Sequence, residues 1–241
     1  MGALAELDTP LDLPCGARLK NRFLKSAMSE QLADRAHDPT PGLATLYRTW
    51  AEGGVGLQVT GNVMVERTAL GEPDNVVLDE RSDLAAFERW AEAGRRHGTH
   101  LFMQLNHPGK QTNRFLTREP VAPSPIPIGA GLERAFNPPR ALADGEIERI
   151  VERFATAARL AQRTGFTGVQ IHGAHGYLVS QFLSPRHNQR ADRWGGSAEN
   201  RRRFVLEVYR AVRAQVGVRY PVCIKLNSAD FQRGGLTEDE S

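Results

Sequence analysis

Within six residues the chain places three proton-bearing side chains, His172, His175 and Tyr177, with Gly173 and Gly176 between them to allow tight turns. The apolar segment Gly168–Ile171 runs straight into this cluster. Two histidines and a tyrosine fill a core poorly, because each needs a hydrogen-bond partner once buried. As metal ligands, His172 and His175 are only two. A tetrahedral zinc site wants at least one more protein ligand, and the His-Glu-x-x-His helix signature is absent. A hydrolytic metal site completed by an aspartate such as Asp230 is the alternative on that side. As two hydrogen-bond donors beside a phenol, the cluster suits an anion or oxyanion hole with a proton donor at hand. That reading leads, and no metal is expected.

The rest of the chain must position those groups. Its 241 residues are enough to bury a full core, and one domain of α/β-barrel size is expected. Hydrophobic content of 40% and charged content of 24% are those of a globular, soluble protein. The net charge of +3 is small and its carriers are scattered, so nucleic acid is not expected as a partner. Cys15 and Cys223 cannot make a disulfide framework, which suits a reducing cytoplasm. The N-terminus does not read as a signal peptide, and no apolar run is long enough to span a bilayer.

Five short apolar segments read as strands: Asn21–Met28, Val55–Val65, His100–Leu105, Gly168–Ile171 and Pro221–Leu226. Four amphipathic segments read as helices between them. The first starts at Pro41 and is stopped by Gly53-Gly54, and the second is capped by Ser82. Asp144 caps the third, and the fourth runs from Ser197 to Gly217. Residues 1–21 suit a cap over one end of a core. Residues 108–143 carry seven prolines without helical or alternating period, as a lid or binding loop would. Arg190, Asp192 and Trp194 read as loop-fixing residues. Near-continuous apolar strands alternating with helices predict a parallel sheet, and polar residues after every strand predict a (β/α) barrel with its site at the C-terminal face. Thr237 and Glu240 form a capping box that opens a further helix, so the sequence reads as cut at the start of its fifth helix, with three βα units absent.

Four separated segments carry a resemblance. They are Leu57-Gln-Val-Thr-Gly-Asn-Val-Met64, Gln104-Leu-Asn-His-Pro-Gly-Lys110, His172-Gly-Ala-His-Gly-Tyr-Leu-Val-Ser-Gln-Phe-Leu-Ser-Pro185 and Asn188-x-Arg-x-Asp-x-x-Gly-Gly-Ser197 with Asn200-Arg201. Through them the chain resembles the Old Yellow Enzyme family of FMN-dependent NADH:flavin oxidoreductases and ene reductases, over roughly residues 10–241. The resemblance implies an α/β fold of (β/α)8 TIM-barrel type, with residues 1–241 as the N-terminal part, about five βα units, of one FMN-binding domain. It implies FMN as cofactor and NADH or NADPH as transient reductant. The expected reaction is reduction of an activated C=C bond of enone or enoyl type in a small-molecule substrate, and a homo-oligomer is compatible with it. Ala27, Met28 and Ser29 are expected beside the isoalloxazine ring, Gly61 close to it, Gln104 on its pyrimidine edge and Lys225 near its N1–C2 carbonyl region. His172 and His175 would bind the substrate's activating oxygen, His172 also touching the flavin, and Tyr177 would deliver a proton. The alternative is a truncated, non-catalytic barrel fragment that is inactive or needs a partner chain.

Overall fold

Sequence-adjacent strands pair side by side throughout the sheet, which is what places the ends of all its strands along one rim. The computed structural model describes residues 6–129 and 131–241; residues 1–5 of the expected cap and Ala130 of the expected lid lie outside the described residues. The strands are β1 (Leu24–Lys25), β2 (Leu57–Met64), β3 (His100–Asn106), β4 (Gly168–Gly173) and β5 (Val222–Leu226). They stand in the order β1-β2-β3-β4-β5, every pair parallel, with a two-residue strand, Val76–Val77, added at the end of β2. Such consecutive parallel pairing through helical crossovers is the construction of a (β/α) barrel. An antiparallel pair, Leu11–Asp12 with Arg18–Leu19, precedes β1.

The helices are α1 (Pro41–Glu52), α2 (Leu84–Gly94), α3 (Asp144–Arg163), α4 (Leu178–Leu183) and α5 (Ala198–Val216). The short α4 was not among the four expected. Two caps also differ from expectation. Asp83, not Ser82, caps α2, its carboxylate accepting from the Ala85 and Ala86 amides. The Ser82 hydroxyl is already engaged with Val77 O and the Asp79 amide. Asp144 is the first helical residue of α3 rather than its cap, and Glu146 reaches back to accept from the Ala143 amide at 2.9 Å. Ser197 caps α5 and Gly217 ends it, as expected.

Strand residues alternate between faces. Leu101, Met103 and Leu105 of β3 and Val169 and Ile171 of β4 join one core with Phe87, Trp90, Phe154, Phe204 and Val208 of the helices. Trp90 meets Tyr47 and Phe166 edge-on at 5.2 and 5.3 Å. The intervening residues, Phe102, Gln104 and Asn106 of β3 and Gln170 and His172 of β4, therefore face the barrel interior. On the outer side of the sheet an apolar groove of about 380 Å³ runs between α5 and β5, lined by residues that include Leu206, Tyr209, Ile224 and Leu226. No helix among the described residues is long and apolar enough to cross a membrane.

Candidate active site

β4 delivers the cluster. It runs two residues further than expected, so His172 is its penultimate residue, and the chain then turns through His175 into α4. His175 is held at φ 60°, a left-handed conformation uncommon for a side chain with a Cβ, followed by Gly176 at φ 77°. Its amide donates to Asn227 Oδ1 at 3.0 Å, tying the turn after β4 to the residue that follows β5. The three rings are thereby gathered: His172 lies 5.1 Å from His175 and 4.9 Å from Tyr177 between centroids.

His172 is 2% exposed. Burial, with the charge of Lys225 and the neighbouring His175, lowers its pKa to about 3, so the ring is neutral at pH 7. Its Nδ1 lies 3.2 Å from the Ala174 amide, which donates to it, and a neutral ring accepting at Nδ1 carries its proton on Nε2. The strand end therefore presents a fixed, uncharged N–H donor. His175 is exposed, and burial and Lys225 lower its pKa too. Tyr177 Oη accepts from Asn62 Nδ2 at 3.3 Å, which leaves the phenolic proton free to be given elsewhere. Burial and the charge of Glu72 raise the Tyr177 pKa, against the Asn62 hydrogen bond, keeping the phenol protonated at neutral pH.

The remaining expected site residues sit at the ends of neighbouring strands. Gln104, 2% exposed, stands on β3 opposite Gln170 of β4, and Lys225 on β5 stands opposite His172. Lys225 Nζ has no hydrogen-bond or ion-pair partner among the described residues. Ala27, Met28 and Ser29 follow β1; Met28 is exposed, and the Ser29 hydroxyl donates to Glu72. Gly61 is crowded by the chain itself, since a Cβ there would run into the Glu30 carboxylate and the Met28 carbonyl. Its amide donates to Tyr47 Oη at 3.0 Å, and that hydroxyl donates to Glu30 Oε1 at 2.7 Å. Lys25 completes this buried set, 3.5 Å from Glu30 Oε1, 3.2 Å from Val59 O and 4.0 Å from the Trp50 ring centroid.

The proline-rich segment is anchored around the site. Lys110 Nζ donates to Ile126 O at 2.7 Å and lies 3.0 Å from His187 Nδ1. Burial and nearby Arg186 bring its pKa down to about 8. Arg190 donates to Pro123 O and Leu142 O and pairs with Asp144 and Asp192, which is the loop-fixing role expected of it. A cleft of about 430 Å³ opens between the Lys110–His187 pair and His175, bounded also by Asn227 and Phe231. Asn62, Gln170 and Asn227 were not singled out from sequence. Their only signal there is an amide at or near the end of an apolar strand. No cluster of metal-ligating residues occurs among the described residues, so His172 and His175 acquire no third ligand.

The depressed His172 pKa has a measurable cost. Unfolded, the ring titrates near 6.5; folded, near 3, so between these values the unfolded chain binds more protons. Its contribution is complete above pH 6.5 and is lost as pH falls toward 3, on the order of a few kcal/mol. A His172→Gln variant is expected to show a flatter decline of Tm between pH 6.5 and 4 than the parent. Parallel declines would show that His172 is not held neutral.

The chain matches the family model described as NADH:flavin oxidoreductase / NADH oxidase over residues 6–241. It is 41% identical over 247 residues to the NADH-dependent flavin oxidoreductase iliE of Hypocrea jecorina, covering 94% of this chain and 61% of that protein. Among solved structures, a 2-naphthoyl-CoA reductase complex superposes with a TM-score of 0.90 at 30% identity, covering 98% of this chain and 37% of the other. The Old Yellow Enzyme homologue from Zymomonas mobilis gives 0.87 at 28% identity, covering 98% and 67%. The chain thus spans about three-fifths of the length of its Hypocrea relative, and its fold is a partial (β/α)8 barrel. With the family model matched across all but its first five residues, the chain belongs to the NADH:flavin oxidoreductase / NADH oxidase family.

Proposed function

We propose that this chain carries the catalytic half of an FMN-dependent oxidoreductase that uses NADH or NADPH to reduce an activated C=C bond of enone or enoyl type. The observation that supports it most is the neutral His172 donor gathered with His175 and Tyr177 at one strand end, beside an interior row of unpaired polar groups. The fit to a flavin rests on that row. Gln104 Oε1 and Lys225 Nζ have no partner among the described residues, and Asn62 Oδ1 is buried without one. Polar atoms left unpaired in this way suit a ligand with a polar, partly anionic edge. Ala27, Met28, Ser29, Gly61, Gln104, His172 and Lys225 are the residues that would hold FMN. Bound FMN would supply two-electron hydride chemistry.

The chain's own groups do the rest. His172 Nε2–H and the His175 ring donate to the oxygen that activates the alkene, drawing charge toward it as hydride adds to the β-carbon. Because His172 is neutral and fixed, its donation does not change across the physiological pH range. Tyr177, protonated and relieved of any acceptor by Asn62, supplies the proton for the α-carbon. Lys225, which has no carboxylate partner among the described residues, would stabilise negative charge on a bound flavin. The segment 108–143, pinned by Lys110 and Arg190, borders the cleft that receives substrate.

The test is a visible spectrum of the purified chain after incubation with FMN and removal of free cofactor. Flavin bands that bleach with NADH or NADPH and return on addition of 2-cyclohexen-1-one are expected. A colourless protein, or bands that do not bleach, would overturn the proposal.

A further inference from the structure

Two carboxamides and a thiol lie in one lateral row across the barrel interior. Gln104 on β3 stands opposite Gln170 on β4, which stands opposite Cys223 on β5. Gln104 Nε2 donates to Gln170 Oε1 at 2.7 Å, and Gln170 Nε2 in turn lies 3.6 Å from Cys223 Sγ, a thiol that burial keeps protonated. A carboxamide has a donor end and an acceptor end of nearly equal shape, so only its partners decide which way it points. With Nε2 committed sideways to Gln170, the acceptor Oε1 of Gln104 is the end left without a partner among the described residues.

We propose that Gln170 is a positioning residue: it fixes the Gln104 carboxamide so that Oε1 is offered to the N3–H of the flavin's pyrimidine edge. This rests on the flavin reading given above. The pyrimidine edge carries a single N–H donor between two carbonyls, so a Gln104 turned the other way would set donor against donor. The row has two self-consistent senses. In the observed one, donors run from Gln104 through Gln170 to the sulfur. In the reverse one, the thiol donates to Gln170, and Gln170 donates to Gln104. A residue at 170 that can only accept stabilises the first sense and forbids the second.

The experiment loads the full chain and its variants with FMN labelled with 15N at N3, and records both the imino N3–H resonance and the FMN dissociation constant. Gln170→Leu removes the acceptor. It is expected to shift the N3–H signal upfield, speed its exchange with water and weaken FMN binding about tenfold, the value of one hydrogen bond. Gln170→Glu accepts but cannot donate, and is expected to keep the N3–H signal at the parent position. An unchanged signal in Gln170→Leu, or a signal lost equally in Gln170→Glu, would overturn the proposal. A parent chain that takes up no FMN overturns the flavin reading itself, and is told apart by its lack of colour before any variant is compared.

Discussion

A Tyr177→Phe variant loaded with FMN is expected to lose about 10²–10⁴-fold in the rate of alkene reduction, the range measured for removal of a positioned general acid. Its reduction by NADH is expected to be unchanged, because hydride uptake needs no proton from the phenol. The substitution is nearly isosteric and removes only a hydroxyl whose protein partner is the Asn62 amide. Stopped-flow absorbance separates the two half-reactions directly. An equal loss in both would mean that Tyr177 shapes the pocket rather than delivering a proton. Retention of full alkene turnover would assign the proton to solvent or to His175.

Glu30→Ala is expected to destabilise the fold by about 3–5 kcal/mol, the cost of stranding a buried charge. The side chains of Lys25 and Glu30 are 11% and 9% exposed, and they lie 3.5 Å apart. Burial pushes the Lys25 pKa down and the Glu30 pKa up, each partly offset by the other. Removing the carboxylate also frees the Tyr47 hydroxyl that receives the Gly61 amide. Replacing both charges, Lys25→Met with Glu30→Leu, is expected to recover much of the loss. Urea unfolding of Lys25→Met, Glu30→Leu and the double variant gives the coupling. Additive effects would show that the pair acts as two separate groups.

The candidate cluster was legible where residue type alone marks it. His172, His175 and Tyr177 occur too densely to be packing, and β4 carries them where a parallel strand should end. All five strands and the four longer helices follow from apolar periodicity, which survives in any tertiary setting. Caps were less legible because several side chains could serve. Ser82 and Asp83 both qualify by type, and the choice fell to Asp83 because the turn from Val77 to Asp79 had already taken the Ser82 hydroxyl. Asp144 is likewise drawn off by Arg190, 46 residues away, at 3.0 Å. Gln170 reads as a spacer in Gly-Val-Gln-Ile until β3 and β5 are laid beside it, since lateral register is invisible in a single strand. The Lys25–Glu30–Tyr47 set is hidden for the same reason, being assembled from β1, the segment after it and α1.

The Asn227 side chain has a consequence for how the site is kept in register. Its Oδ1 accepts from the His175 amide and its Nδ2 donates to Ser180 Oγ of α4 at 3.3 Å, so it clasps the turn after β4 at two points. Lys225 stands two positions earlier on the same backbone, opposite His172. Any shift of that backbone therefore carries the lysine and the His175 turn together, and the two behave as one lever rather than as separately adjustable groups.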